Sequence, residues 1–453
     1  MKPSFFLKYV LVVLSLVWYV IVYHFLDRHE FWFFISGIAI LGFSYFYWIV
    51  KNSFGPKEII VLTVLFRSVF LVGTPNLSDD YYRFYWDGSL IAANPYEHTP
   101  QEYKNFMQGE LSDELQEAYP LLNSQTYFSV YPPVNQLFFK SAVFLAQGSL
   151  SWFVFYLKLF IFFFDIALIF LLIQFLRRLM LPIALAQVYA LNPLVIIELT
   201  GNLHFEGVMM FFLIAGVYFL WRNKVVWASL AIGLSIGVKL IPILILPLIL
   251  PLLGIKKSLK LYLGIIFFLV VVSLPFLSST ILHNFSESIA LYFQTFEFNA
   301  SFYYLAKQLS IYLLGYKSYL VGNVLSFLVF MFIISLCFIL WKKHPKSLEN
   351  SFRVSLFMKY AGYSFAFYYL LSSTVHPWYL INVVALSVFS FSRSYVLWSL
   401  LVFLSYFAYS SSVRAHAPNQ DFNLYSPYYY FIVVQYGVVL FLFIFDASKK
   451  KQA

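Results

Sequence analysis

The residues best suited to chemistry in this chain are Asp79 and Asp80, two adjacent carboxylates, with Arg83, Trp86 and Asp87 following within two helical turns. Other polar groups stand far apart in sequence. They are Tyr131 ahead of a double proline, the set Glu198, Asn202, His204 and Glu206, then Lys239, then His376 with Trp378 and Tyr379, and finally Arg414, His416 and Asp421. Carboxylate, imidazole and ammonium groups are the ones that carry protons or hold charged substrates. They are costly in lipid, so by default they mark a water-filled cavity or a substrate path.

Each of these residues also has a structural reading. Ser78 followed by two carboxylates is an ordinary helix start, with serine as cap and acidic groups favoured by the helix dipole. The four-residue spacings Asp79 to Arg83 and Arg83 to Asp87 suit surface ion pairs worth about 0.2–0.5 kcal/mol each. His204 and His376 suit hydrogen-bonded interfacial positions. Trp378 and Tyr379 suit an aromatic belt at the membrane interface. Joint placement on one side of a membrane, not any single residue, carries the functional case.

The elements that must position these groups are apolar. Of 453 residues, 61% are hydrophobic and 11% charged, against about 25% charged in soluble domains. This is the composition of an all-α polytopic membrane protein, because barrel strands would alternate over about 10 residues and no such pattern occurs. Apolar runs cover 7–26, 31–50, 58–75, 150–176, 183–200, 205–221, 225–253, 259–277, 318–341, 355–373, 377–392, 395–411 and 428–446. The first run reads as a retained helix, since it is too long for a signal-peptide core and lacks a small-residue cleavage site.

Basic clusters between the runs fix orientation: Lys51 with Lys57, Arg177 with Arg178, Arg222 with Lys224, Lys256 with Lys257 and Lys260, Lys342 with Lys343, Arg393, and the lysines at 449–451. All face the cytoplasm together if 225–253 crosses twice, turning near Lys239 and Pro242. The expected architecture is 12–14 transmembrane helices in a single integral-membrane domain over 1–453, with both termini cytoplasmic. The net charge of +10 is then topogenic, and no nucleic-acid partner is implied.

On this topology the loop 76–133 is extracytoplasmic, and it carries nine acidic residues against two basic ones. Within it, 101–118 reads as one amphipathic helix lying on the membrane, started by Thr99 and Pro100. The stretch 134–147 also suits a surface-lying or dipping helix. Asn76, Asn284 and Asn299 open Asn-x-Ser triplets, which in a secretory compartment would suit glycosylation and which chance explains equally well. The lone cysteine, Cys337, permits no intrachain disulfide.

The motifs SDDYYRFYWDG (78–88), NPY (94–96), YPP (131–133), NPLVIIELTGNLHFEG (192–207), GVKLIP (237–242), FNASFYYL (298–305) and HPWYL (376–380) occur in an order that resembles the GT-C superfamily. These are integral-membrane glycosyltransferases, and the resemblance is strongest to bacterial mannosyltransferase-like members that use polyprenyl-phosphate sugars. It implies a large first outer loop, 76–133, that holds an essential carboxylate and surface-lying helices. It also implies a hexosyl transfer, mannose foremost, from a polyprenyl-phosphate donor to an extracytoplasmic glycan or glycolipid.

On that resemblance Asp79 or Asp80 is the general base, and one inverting displacement needs no general acid because phosphate is the leaving group. Arg83, Lys239 and Arg414 are candidates for the donor phosphate. Trp86, Tyr131, Asn202, His204, Glu206, His376, Trp378 and Tyr379 are candidates for substrate binding. No cofactor is assigned, although the ligand types of Asp79, Asp80, His204 and Glu206 leave a divalent metal open. The resemblance favours a bacterial inner membrane. The rival class is a transporter or lipid flippase, which needs similar spans and buried charge.

Overall fold

A computed structural model describes residues 3–51, 53–90, 94–107, 110–281, 283–288, 296–343, 351–410 and 427–449. The chain is helical, with one isolated bridge between Phe298 and Thr374 among the described residues. The long helices are α1 (Pro3–His24), α2 (Phe31–Lys51), α3 (Pro56–Ser68) and α8 (Leu150–Arg178). Four loop helices, α4 (Asp80–Ser89), α5 (Pro100–Phe106), α6 (Asp113–Ala118) and α7 (Pro133–Ala146), stand between α3 and α8.

After α8 come the short turns α9 (Gln187–Ala190) and α10 (Pro193–Ile196), then α11 (Glu206–Trp221), α12 (Val225–Val238), α13 (Leu246–Leu253) and α14 (Ile255–Ser273). The C-terminal part holds α15 (Phe302–Leu314), α16 (Leu320–Lys343), α17 (Ser351–Leu371), α18 (Ile381–Ser387), α19 (Arg393–Leu401) and α20 (Pro427–Lys449).

Among the described residues six helices are long and apolar enough to cross a bilayer, or seven if the bent pair over 183–201 is one span. Their outward faces carry Phe43, Phe163, Phe267, Phe327 and Phe441, each about 60% exposed. A soluble protein could not keep so many large rings in water, so these faces meet lipid. The protein is an integral membrane protein of the polytopic all-α class.

Between these helices run shorter ones whose breaks are written in the sequence. Pro193 starts α10 under an Asn192 cap, whose side chain accepts from the Leu194 amide at 2.9 Å. The 55° bend lies just before it, between 183–190 and 193–201, and the chain after α10 unwinds through a π-turn at Ile197–Gly201, an irregularity that inserts an extra residue and often marks a functional site. The run 225–253 breaks where expected: α12 ends at Val238, Lys239 is extended, and a 3₁₀ turn begins at Ile241 next to Pro242. The proline cannot donate into a continuing helix.

Two buried ion contacts lock the first helices. Arg67 on α3 meets Asp165 on α8 at 2.5 Å, with Tyr189 donating to the same carboxylate at 2.8 Å. Lys158 on α8 donates to the carbonyls of Phe70 and Gly73 at 2.8 and 2.9 Å. Those carbonyls follow the end of α3, where a helix leaves acceptors unmet.

The loop helices depart from the expected surface helix. Thr99 caps α5 in a reciprocal box with Glu102, at 3.2 and 2.9 Å, but α5 ends at Phe106 and α6 starts only at Asp113. Leu111 and Leu115 turn inward with Leu90 and Leu122 to make a small core around Trp86, so this segment folds on itself instead of floating on lipid. Helix α7 packs against α4, α8 and α12. At Gly88 a Cβ would lie 2.8 Å from the Phe139 backbone, which is why α4 and α7 approach so closely.

The three Asn-x-Ser asparagines are spent on structure. Asn76 donates to the Val22 and Leu26 carbonyls at 2.9 and 3.1 Å, Asn284 to Tyr96 at 2.9 Å, and Asn299 to Val375 at 3.2 Å. Asn284 and Asn299 are also buried. In the folded chain these amides tie turns at the same end of the bundle together.

Candidate active site at one end of the bundle

The polar residues collect where the turns α1–α2, α3–α4, α10–α11, α12–α13 and α17–α18 meet. Asp79 takes the cap position of α4 and Asp80 its first residue. Asp79 pairs with Arg28 of the α1–α2 turn at 2.8 Å, and the Arg28 guanidinium lies 5.4 Å from the Tyr409 ring centre. Asp80 accepts from Asn123 at 3.3 Å. Burial pushes its carboxyl above the usual range, the Asn123 bond and the Lys239 charge pull it back, and the Asp79 charge adds to the rise. One member of the pair is thus neutralised by a cation, and the other is a desolvated, more basic carboxylate.

The second wall is the turn after the bent span. Leu203 has φ +64°, a left-handed conformation costing an L residue about 1–2 kcal/mol, and it aims His204 inward. Glu198 holds this turn from below. It accepts from Tyr406 at 2.7 Å on Oε1 and from Asn202 at 3.2 Å on Oε2, and His204 Nε2 lies 3.6 Å from that same Oε2. Asn202 in turn accepts from the Leu77 amide at 3.2 Å, so the strained turn is tied to the segment leading into Asp79 and Asp80.

Lys239 enters from the α12 break. Its ammonium pairs with Glu206 and lies 5.8 Å from the Tyr379 ring centre. Trp378 is packed between two imidazoles, with His204 at 3.6 Å and 17° on one ring contact and His376 at 4.4 Å and 5° on the other. Phe298 extends the column beyond His376 at 5.0 Å. Glu206 Oε2, His204 Nε2 and His376 Nδ1 are buried polar atoms with no hydrogen-bond partner in the protein. Buried polar atoms are ordinarily satisfied, and three orphans around one lysine mark where a hydroxyl-bearing substrate or water is received.

The structure therefore brings together Asp79, Asp80, Lys239, His204, Glu206, His376, Trp378 and Tyr379. It reassigns several others. Arg83 is 3% exposed and donates to Asp87 at 2.7 Å, to the Ser124 carbonyl at 2.8 Å and to the Tyr127 carbonyl at 2.9 Å, so it staples the loop and is not placed to hold a phosphate. Trp86 is enclosed in the small loop core, and Tyr131 packs edge-on to Phe84 and Phe139. Neither offers a sugar platform. Asn202 is buried and engaged on both ends of its amide, and Trp378 has imidazoles against its ring, so their contribution is to shape the site. Arg414, His416 and Asp421 lie outside the described residues.

Sequence reasoning missed Arg28 and Asn123, the partners of the two carboxylates. The signal for Arg28 was the charged run Asp27, Arg28, His29 and Glu30 in the α1–α2 turn; Asn123 had none. Among the described residues no three His, Cys, Asp or Glu side chains converge as a metal-ligating group.

A bundle of membrane-crossing helices with a basic carboxylate, a lysine and orphaned polar atoms gathered at one end defines a membrane enzyme. Residues 11–254, just over half of the chain, match the MptA_B family, described as alpha-(1->6)-mannopyranosyltransferase, N-terminal domain, and the chain belongs to that family. No curated protein matches it. The chain is accordingly a mannosyltransferase, with a sugar donor and an acceptor as its partners.

Proposed function

We propose that the protein transfers mannose from a polyprenyl-phosphate donor to an extracytoplasmic glycan or glycolipid, with Asp80 as general base. The observation that carries this reading is the unequal environment of the adjacent carboxylates: Asp79 is paired with Arg28, while Asp80 is raised by burial and faces the Lys239 charge. A base gains from a proton affinity above that of an ordinary carboxylate, and burial gives Asp80 that rise.

The acceptor hydroxyl gives its proton to Asp80 as its oxygen attacks the anomeric carbon. The bond to phosphate breaks in the same displacement, and Lys239 stabilises the departing charge. Glu206 holds Lys239 until the phosphate competes for it. His204, His376 and the free oxygen of Glu206 meet sugar hydroxyls, and Tyr379 lines the same space. A single displacement inverts the anomeric centre, so a β-linked donor gives the α linkage named in the family's description.

The loop 76–133 is the catalytic portion, and the site faces away from the cytoplasm of a bacterial inner membrane with both chain ends inside. The Lys8–Glu58 contact at 2.7 Å joins the starts of α1 and α3 at the end opposite Arg28 and Asp79, which supports a common direction for these two helices.

The test is transfer of labelled mannose from polyprenyl-phosphate β-mannose to an α-(1→6)-mannooligosaccharide by the purified protein in lipid nanodiscs. Asp80→Asn should lower kcat by about 10²–10⁴, the contribution typical of a general base. Asp79→Asn should cost far less. Full activity in Asp80→Asn would remove the assignment.

A further inference from the structure

A charged cluster that the transfer step does not use surrounds Glu297. Its carboxylate accepts from Lys307 of α15 at 2.8 Å on one oxygen, and from Lys317 at 2.6 Å and the Tyr303 hydroxyl at 3.3 Å on the other. Exposed ion pairs contribute little, but the Glu297 and Lys307 side chains are only 16% and 12% exposed, so removing Glu297 strands the Lys307 charge. Burial pushes the Glu297 carboxyl up, and the bonds from Lys307 and Lys317 outweigh it, holding the group below the usual carboxylate range. Helix α15 is itself packed on α16 and α17.

Glu297 belongs to the segment 296–299, which pairs with Thr374 through Phe298 as one strand pairs with another. Side chains alternate in such a segment. The rings of Phe296 and Phe298 lie against His376, at 5.7 and 5.0 Å between centres, while Glu297 turns to α15. Four hydrogen bonds then join the segment to the residues just before His376. Thr374 Oγ1 donates to the Phe296 carbonyl at 2.8 Å, the Phe298 amide to Ser373 at 3.0 Å, the Val375 amide to Phe298 at 2.8 Å, and the Asn299 side chain to Val375 at 3.2 Å.

We propose that Glu297 is a positioning residue for the transfer: it clamps the segment 296–299 to α15, so that His376 presents its Nδ1 to a hydroxyl of the transferred sugar. The inference rests on the reading above, in which His376 meets the sugar, and adds what holds the imidazole in place. His376 makes no side-chain cap bond to the turn Pro377–Leu380 that follows it. Its ring is held by contacts with Trp378 and Phe298, and Phe298 is the chain neighbour of Glu297.

Glu297→Gln keeps the shape of the side chain and removes its charge, and Lys307→Met removes the charge at the other end. In the nanodisc assay each should lower kcat/KM for the lipid-linked donor about 10- to 10²-fold, the effect of moving a binding group by about 1 Å. Lys307→Arg, which keeps the cation, should retain most of the activity. A double-mutant cycle separates positioning from general damage: in a His376→Ala background, Glu297→Gln should lower activity by a further factor below about two, because residues that act through one another are not additive. With no substrate present, the amides of Phe298 and Val375 should exchange at least about tenfold faster in Glu297→Gln than in the parent, as local opening becomes easier. Parent-like kcat/KM in both single variants, effects that multiply in the cycle, or unchanged exchange at these two amides would overturn the assignment. Absence of any mannosyl transfer by the parent protein would instead overturn the reading on which it rests, and the exchange measurement would still test the clamp.

Discussion

Replacing Asp87 by alanine tests whether Arg83 serves the fold of the loop or the donor. The Asp87 carboxylate is wholly buried and accepts from Arg83 at 2.7 Å, Ser129 at 2.5 Å and Gln136 at 3.1 Å. Its removal leaves a guanidinium 3% exposed with only carbonyl and hydroxyl partners. A hydrogen bond to a charged group contributes about 1.5–3 kcal/mol, and stranding one member of a buried pair costs about 3–5 kcal/mol in total. The loop should therefore open about 10²- to 10⁴-fold more often, since each 1.4 kcal/mol is a factor of ten. Hydrogen exchange of the backbone amides over 119–131 in nanodiscs reads this directly. The double variant Arg83→Met with Asp87→Leu removes both charges and should recover much of the protection. Protection unchanged within tenfold in Asp87→Ala would show that the network does not hold the loop, and the phosphate role for Arg83 would return.

Three further outcomes follow from the same geometry. Because Asp80 must be ionised to act and its carboxyl is raised by burial, kcat/KM should fall with decreasing pH through a limb lying above the ordinary carboxylate value of about 3.9. Removing the field that lowers it, in Lys239→Met, should move that limb to higher pH in a pH–rate profile, besides weakening donor binding. Asn123→Ala should move it the same way while leaving the donor KM unchanged, because it deletes only the hydrogen bond to the ionised form. Gly88→Ala should destabilise the loop by about 1–3 kcal/mol, the usual cost of overpacking, since the new methyl would meet Phe139 backbone at 2.8 Å; a thermal-shift measurement in detergent checks it.

The long spans were legible because lipid demands about 20 apolar residues in a row and leaves little else to weigh. The Lys239 break was legible for the same reason, since a lysine and a proline interrupt such a run. Partner choice was not. Arg83 has acidic residues four positions away on both sides, and the sequence cannot choose between them. The structure pairs it with Asp87 because Asp79 lies outside the helix, with φ −97° and ψ 4°, so Asp79 is not one turn below Arg83 on a shared face. The stretch 101–118 has apolar residues at helical spacing, and the pattern alone does not say whether they meet lipid or one another. Trp378 reads equally as a belt residue or a sugar platform until His204 and His376, far apart in sequence, are found against it.

The adjacency of Asp79 and Asp80 explains why one site needs both. Successive helical residues point about 100° apart, so neighbours at a helix start cannot converge on the same group as residues one turn apart can. Here the first carboxylate leaves the helix toward Arg28, and the second faces Asn123 under the charge of Lys239. Like charges this close would raise each other's proton affinity. Arg28 offsets the charge of Asp79, so the rise at Asp80 comes first from burial and only secondarily from its neighbour. The α1–α2 turn, which carries no motif of its own, is thereby connected to Asp80: through Arg28 it sets the charge beside that carboxylate.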